Sequence, residues 1–225
     1  MPNKPTKKDR REATKAARFQ AEQRAQKQRR MRFLYVGIGA AAFVALIVGI
    51  VLFSGSKPVN VSALNNAAKS AGCGSIQTFP NQGQTHVAQG TIVQYNSNPP
   101  TSGSHYQVIA GAVPAPTGVH TAPIQNEIQV HNLEHGHIGI QYAAALPTTV
   151  LNALETFARN HDTYVFLAPR PDLPAGVQLA FTRWTNLVDC ASPTDAGTVV
   201  DFAQKFYDAY HGQGPEGGIP GTPIS

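Results

Sequence analysis

The chain has 225 residues and a formal net charge of +5 at pH 7. That sum hides two unlike ends: residues 1–32 carry twelve Lys or Arg against three Asp or Glu, a net of +9, whereas residues 54–225 carry six against ten, a net of −4. With no Gly-rich phosphate loop and no Gly-x-Ser-x-Gly turn, nucleotide-dependent enzymes and ordinary serine hydrolases are without support.

Between the two ends, residues 33–53 hold no charge at all. A helix needs about 20 residues to cross the hydrocarbon core, and this run is 21 long. A cleaved signal peptide would have an apolar core of about 7–15 residues behind a shorter basic region, ending in a small-residue cleavage site. The long basic region and the lack of such a site favour a retained single-pass helix, held in membrane lipid through residues 33–53. Lys and Arg stay on the cytoplasmic side. Residues 1–32 are therefore expected in the cytoplasm, and the chain after residue 53 outside the plasma membrane. A basic arm can also bind phosphate backbones. Adjacency to the span makes it an orientation signal that lies against anionic lipid, with no nucleic-acid partner expected.

The two cysteines, Cys73 and Cys190, both fall in the outer part. An even count in an oxidising compartment argues for one disulfide. Pairing would also remove cysteine nucleophiles and soft thiolate ligands from the candidate chemistry.

In chain order, residues 54–60 form a tether and residues 61–71 have helical spacing, with Gly72 placed to end the helix. His86, Val87 and residues 90–95 have extended character, and the loop 96–103 contains Pro99-Pro100, which cannot join a sheet interior. That loop delivers His105 and Tyr106 at its far end. Residues 110–123 read as a surface excursion, and residues 125–130 as a short alternating strand. In 138–142, Ile138, Ile140 and Tyr142 share one strand face, which leaves His137 pointing away from the core. Thr148 caps a helix with Val150, Leu151, Leu154, Phe157 and Ala158 on its apolar face. Residues 163–168 and 177–187 are two further strands, and Asp195 or Thr198 opens a last helix through Tyr210. The Gly- and Pro-rich end has no core of its own and is expected to be disordered or draped. The expected organisation is a basic cytoplasmic segment (1–32), a transmembrane helix (33–53), a tether with a short helix (54–72), one mixed α+β extracytoplasmic domain (73–212) and a flexible tail (213–225).

The stretch that carries candidate chemistry is His131-Asn132-Leu133-Glu134-His135-Gly136-His137. In a helical turn, His131 and His135 share one face and reach one metal ion while Glu134 points elsewhere. As a tight loop between strands the two rings would also meet. His105 is the third candidate ligand, with His86 or Glu134 completing a site suited to zinc or copper(II). Met1 and Met31 lie at or inside the membrane, which disfavours a copper(I) site. The bland alternative is that the imidazoles only hydrogen-bond neighbouring loops.

Two further readings stand beside these. His131-Asn132-Leu133-Glu134-His135 satisfies H-x-x-E-H, in which Glu134 would be the general base of a zinc-dependent hydrolase. That motif belongs on a long helix, whereas Gly136 and an extended run follow here, so Glu134 is otherwise a partner that orients an imidazole. The domain can also be a non-catalytic module that engages a cell-envelope partner and binds no metal.

The segments Pro99-Pro100-Thr101-Ser102-Gly103-Ser104-His105-Tyr106 and His131-Asn132-Leu133-Glu134-His135-Gly136, with Gly214-Pro215-Glu216, resemble the family called domain of unknown function 3105. The resemblance covers the outer domain from about residue 73 to 216. It implies a bacterial, often actinobacterial, membrane-anchored protein, and points to His105, His131, Glu134 and His135, and to His86, as the matching site positions. Ser104 stands where the pattern has proline, and His137 where it has glycine. The family brings no assigned reaction.

Overall fold

The computed structural model describes residues 59–224. The expected membrane span at 33–53 lies outside them, and among the described residues no helix is long and apolar enough to cross a membrane. The domain is a mixed α+β fold of four helices and eight strands: α1 (Val61–Ser70), β1 (Gln77–Thr78), β2 (His86–Val87), β3 (His105–Tyr106), β4 (Gly118–Val119), α2 (Asn126–Glu134), β5 (Ile138–Tyr142), α3 (Thr148–Asn160), β6 (Val165–Pro169), β7 (Leu179–Arg183), β8 (Asn186–Cys190) and α4 (Ala196–Tyr210).

Six strands form one sheet in the order β1-β8-β7-β5-β6-β4, and β2 pairs with β3 in a separate ribbon. Helix α3 supplies the crossover that parallel β5 and β6 require, while β7 and β8 are an antiparallel hairpin beside β5. Alternation along the strands divides the sheet into two buried faces. Ile138, Ile140, Val165, Leu167, Leu179 and Phe181 pack against Leu64 and Ala68 of α1, Val150 and Leu154 of α3, and Phe202 and Phe206 of α4. Phe166 points the other way and packs with Val130 and Leu133 of α2 and with Trp184. Gly139 lies beneath that contact, where an added Cβ would fall 2.5 Å from the Phe166 ring.

Several expectations change. Residues 125–130 are not a strand: Gln125 is the cap position and α2 begins at Asn126. Its buried residues include Gln129, His131, Asn132 and Glu134, so polar side chains fill a face that an apolar stripe would ordinarily mark. The single strand over 177–187 is a hairpin that turns at Trp184-Thr185. Thr185 adopts φ 64°, without the Gly or Asn that usually signals such a turn. It is held by its N–H on Thr101 O and by Phe79 N–H on its own carbonyl. His137 is buried, because the second sheet face is covered as well. Helix α3 has Pro147 at the cap position and Thr148 inside its first turn. At α4, Asp195 caps as anticipated, accepting from Thr198 N–H.

The residues after Gly212 run back across the domain. Gly212 N–H donates to Gly136 O, Glu216 N–H to Glu134 O, Ile219 N–H to His135 O, Gly221 N–H to Thr163 O, and Ile224 N–H to Thr117 O. The glycines in this strap permit close approach: an added Cβ on Gly214 would lie 2.0 Å from Glu134 O.

Cys73, just beyond α1, is disulfide-bonded to Cys190 at the end of β8, across a sequence separation of 117. Closing so long a loop restricts the unfolded chain by about 4–5 kcal/mol on the chain-entropy account. Guanidinium unfolding with and without reductant should show a loss of that order on reduction; equal midpoints would contradict it.

Candidate metal centre

Three elements converge on one point. Parallel pairing of β2 with β3 sets His86 opposite His105, so both side chains leave the ribbon on the same face, with ring centroids 4.8 Å apart. Helix α2 supplies His131 and, one turn on, Glu134, while His135 is its C-cap residue. The ligand atoms of His86, His105 and His131 lie within 4.8 Å of one another, as do those of His131, Glu134 and His135. The centroids of His105 and His131 are 4.9 Å apart, and those of His131 and His135 are 4.7 Å apart.

The hydrogen bonds fix how the rings present themselves. A backbone carbonyl only accepts, so His105 Nδ1–H donates to Gly103 O at 2.8 Å, and His131 Nδ1–H to Tyr106 O at 2.6 Å. In its neutral form each ring therefore turns an Nε2 lone pair inward. His131 Nε2 is buried and has no hydrogen-bond partner. His105 Nε2 lies 2.8 Å from Glu134 Oε2, and His86 Nε2 is 3.5 Å from the same oxygen. A lone pair cannot face a carboxylate oxygen at 2.8 Å unless a positive centre, a proton or a cation, sits with them. His135 Nε2 lies 3.2 Å from Glu216 Oε2, an ion-pair contact, and its Nδ1 is buried without a partner.

The supporting structure holds these groups tightly. Gly103 has φ 129°, and its carbonyl and the following His105 are placed by a loop whose Thr101 and Ser102 are fully buried. Tyr95 O–H donates to Ser104 O at 2.7 Å. At the other end of α2, the buried Arg170 guanidinium donates to Asn98 Oδ1, Asn126 Oδ1 and Gln129 Oε1, tying the Pro99-Pro100 loop to the helix. Gln129 Nε2–H also donates to Pro100 O.

His86, His105, His131 and His135 thus come together, with His86 alone exposed (41%). Glu134 does not point elsewhere: at i+3 from His131 it faces the imidazoles and is 1% exposed. His137 stands apart, with Asn132 Nδ2–H donating to its Nδ1 and its own Nε2–H donating to Ile219 O. His161 and His211 close helices α3 and α4 by donating to Phe157 O and Tyr207 O. Glu216 and Arg170 were not anticipated as parts of the site; Gly214-Pro215-Glu216 was visible only as a matching tripeptide.

Fold and site together define a disulfide-bonded α+β domain with a buried histidine–carboxylate cluster. A family model described as "Protein of unknown function (DUF3105)" matches residues 86–222, and the chain belongs to that family. The match starts at His86 and runs past Glu216, so every member of the cluster lies within it. No curated protein and no solved structure matches the chain.

Burial lowers His131 and His137 to about 4 from the ordinary 6.5, against the opposing pull of their carbonyl acceptors. Burial also lowers His135, partly offset by Glu216. A depressed histidine pKa means that the unfolded chain takes up the proton first. Stability is then complete above about pH 6.5 and declines as pH falls toward 4. For metal-free protein, denaturation at pH 7 and pH 5 should differ by about 2 kcal/mol for each of His131 and His137. His137→Gln, which can keep an acceptor and a donor, should remove part of that difference; a pH-independent stability would contradict the assignment.

Proposed function

We propose that this domain holds a divalent transition-metal ion, zinc or copper(II), on the outer face of the plasma membrane, anchored in membrane lipid by residues 33–53. The observation that carries the reading is the buried, unpartnered His131 Nε2, set among His86, His105 and the Glu134 carboxylate. A metal-bound imidazole usually has its other nitrogen donating to a carbonyl or carboxylate, which fixes the tautomer and the ring. His105 and His131 are both pinned in this way. The donor set is imidazole nitrogen with one carboxylate oxygen, which suits zinc or copper(II) better than softer or harder ions. A bound ion would supply Lewis acidity if zinc, or one-electron redox chemistry if copper. Glu134 lies against His105 and His86 and would neutralise part of a bound ion's charge, which favours a role in holding the ion over that of a general base. The outward placement is supported by the uncharged 21-residue run behind a basic segment and by the disulfide, which persists in oxidising compartments.

Elemental analysis of the untagged full-length protein in mild detergent tests the proposal. Near-stoichiometric zinc or copper is expected in the parent and should be lost from a folded His105→Ala/His131→Ala double variant. At an ion concentration 100 times the dissociation constant, stability should rise by about 2.7 kcal/mol. A parent that holds no ion after incubation with either metal would refute the reading.

A further inference from the structure

We infer that Glu216 positions His135 as a further ligand of this ion, which makes the C-terminal strap a working part of the site; the inference rests on the proposed metal binding.

His135 lies at the end of α2, where the regular helix no longer dictates its surroundings. Beside its ring lies Glu216: the carboxylate is 3.2 Å from Nε2, a contact that favours the proton on Nε2 and the lone pair on Nδ1. That Nδ1 is buried and has no partner, and the ligand atoms of His135, His131 and Glu134 lie within 4.8 Å of one another. A carboxylate on the far nitrogen fixes the tautomer and raises the basicity of a metal-binding imidazole. Glu216 is 39% exposed, and a carboxylate so placed contributes little to folding as a surface ion pair.

The strap is shaped to bring Glu216 to this place. Its N–H donates to Glu134 O, and Ile219 N–H donates to His135 O, so two carbonyls at the end of the ligand-bearing helix are satisfied by the strap. Gly214 crosses so close to Glu134 O that no side chain fits there. Seating of the strap and binding of the ion are then linked, each favouring the other by the same factor.

The test uses the full-length protein with zinc, competed against a chromophoric chelator, and with cobalt(II) as a spectroscopic probe. Glu216→Ala should weaken zinc binding by about 10–100-fold, and Glu216→Gln, which keeps an acceptor without the charge, by less. Gly214→Ala leaves every donor in the chain but lifts the strap, and should also weaken binding. In all three variants the cobalt(II) visible bands should shift, while the thermal midpoint of the metal-free protein with Glu216→Gln stays close to that of the parent. Parent-like zinc affinity and cobalt spectra in folded Glu216→Ala would overturn the inference while leaving the metal site intact. A lower metal-free midpoint with unchanged cobalt spectra would reduce Glu216 to a structural contact and overturn it equally. A parent that binds neither zinc nor cobalt would instead remove the proposed function on which the inference rests.

Discussion

The arrangement turns on one electrostatic constraint: the Glu134 carboxylate is buried against the Nε2 atoms of His105 and His86. Taking a carboxylate out of water is costly unless opposite charge and hydrogen bonds compensate. His105 contacts Glu134 but has its Nδ1–H directed at Gly103 O. A proton shared between His105 Nε2 and Glu134, or a cation within the cluster, balances that contact. Much of the surrounding structure holds that arrangement in register: the β2–β3 pairing, the Pro99-Pro100 loop tied down by Arg170, and the strap over the end of α2.

The two faces of the main sheet divide the work. One carries an apolar core with three helices, closed by the disulfide between Cys73 and Cys190. The other carries the short helix α2, whose apolar contribution is small, Val130 and Leu133 against Phe166 and Trp184, and whose polar residues form the cluster and its supports. A metal ion bound there would add stability to the face with the smaller hydrophobic core, because binding to the folded state alone favours folding.

Much of this was legible in the sequence, and the remainder was not for identifiable reasons. The disulfide and the α+β class could be anticipated from cysteine number and element order, and the meeting of His131 with His135 from their spacing, whereas His105 was marked by the loop that delivers it and by the family resemblance. Helix α2 was hidden because Gln129, His131, Asn132 and Glu134 are buried polar residues, so hydrophobic periodicity had nothing to report. The inward turn of Glu134 follows from i,i+3 geometry only once the helix is known. The hairpin at Thr185 carries no turn residue, since tertiary hydrogen bonds hold it. Glycine and proline after residue 212 read as a flexible end, yet Gly214 serves close backbone approach and delivers Glu216.

The most direct test of the central claim is a crystal structure of the metal-loaded protein with anomalous diffraction recorded on either side of the absorption edge of the bound metal. The account predicts one strong peak within bonding distance of His105 Nε2, His131 Nε2 and a Glu134 oxygen. Data without a peak in the cluster, and with Glu134 and His105 joined by a proton alone, would contradict it.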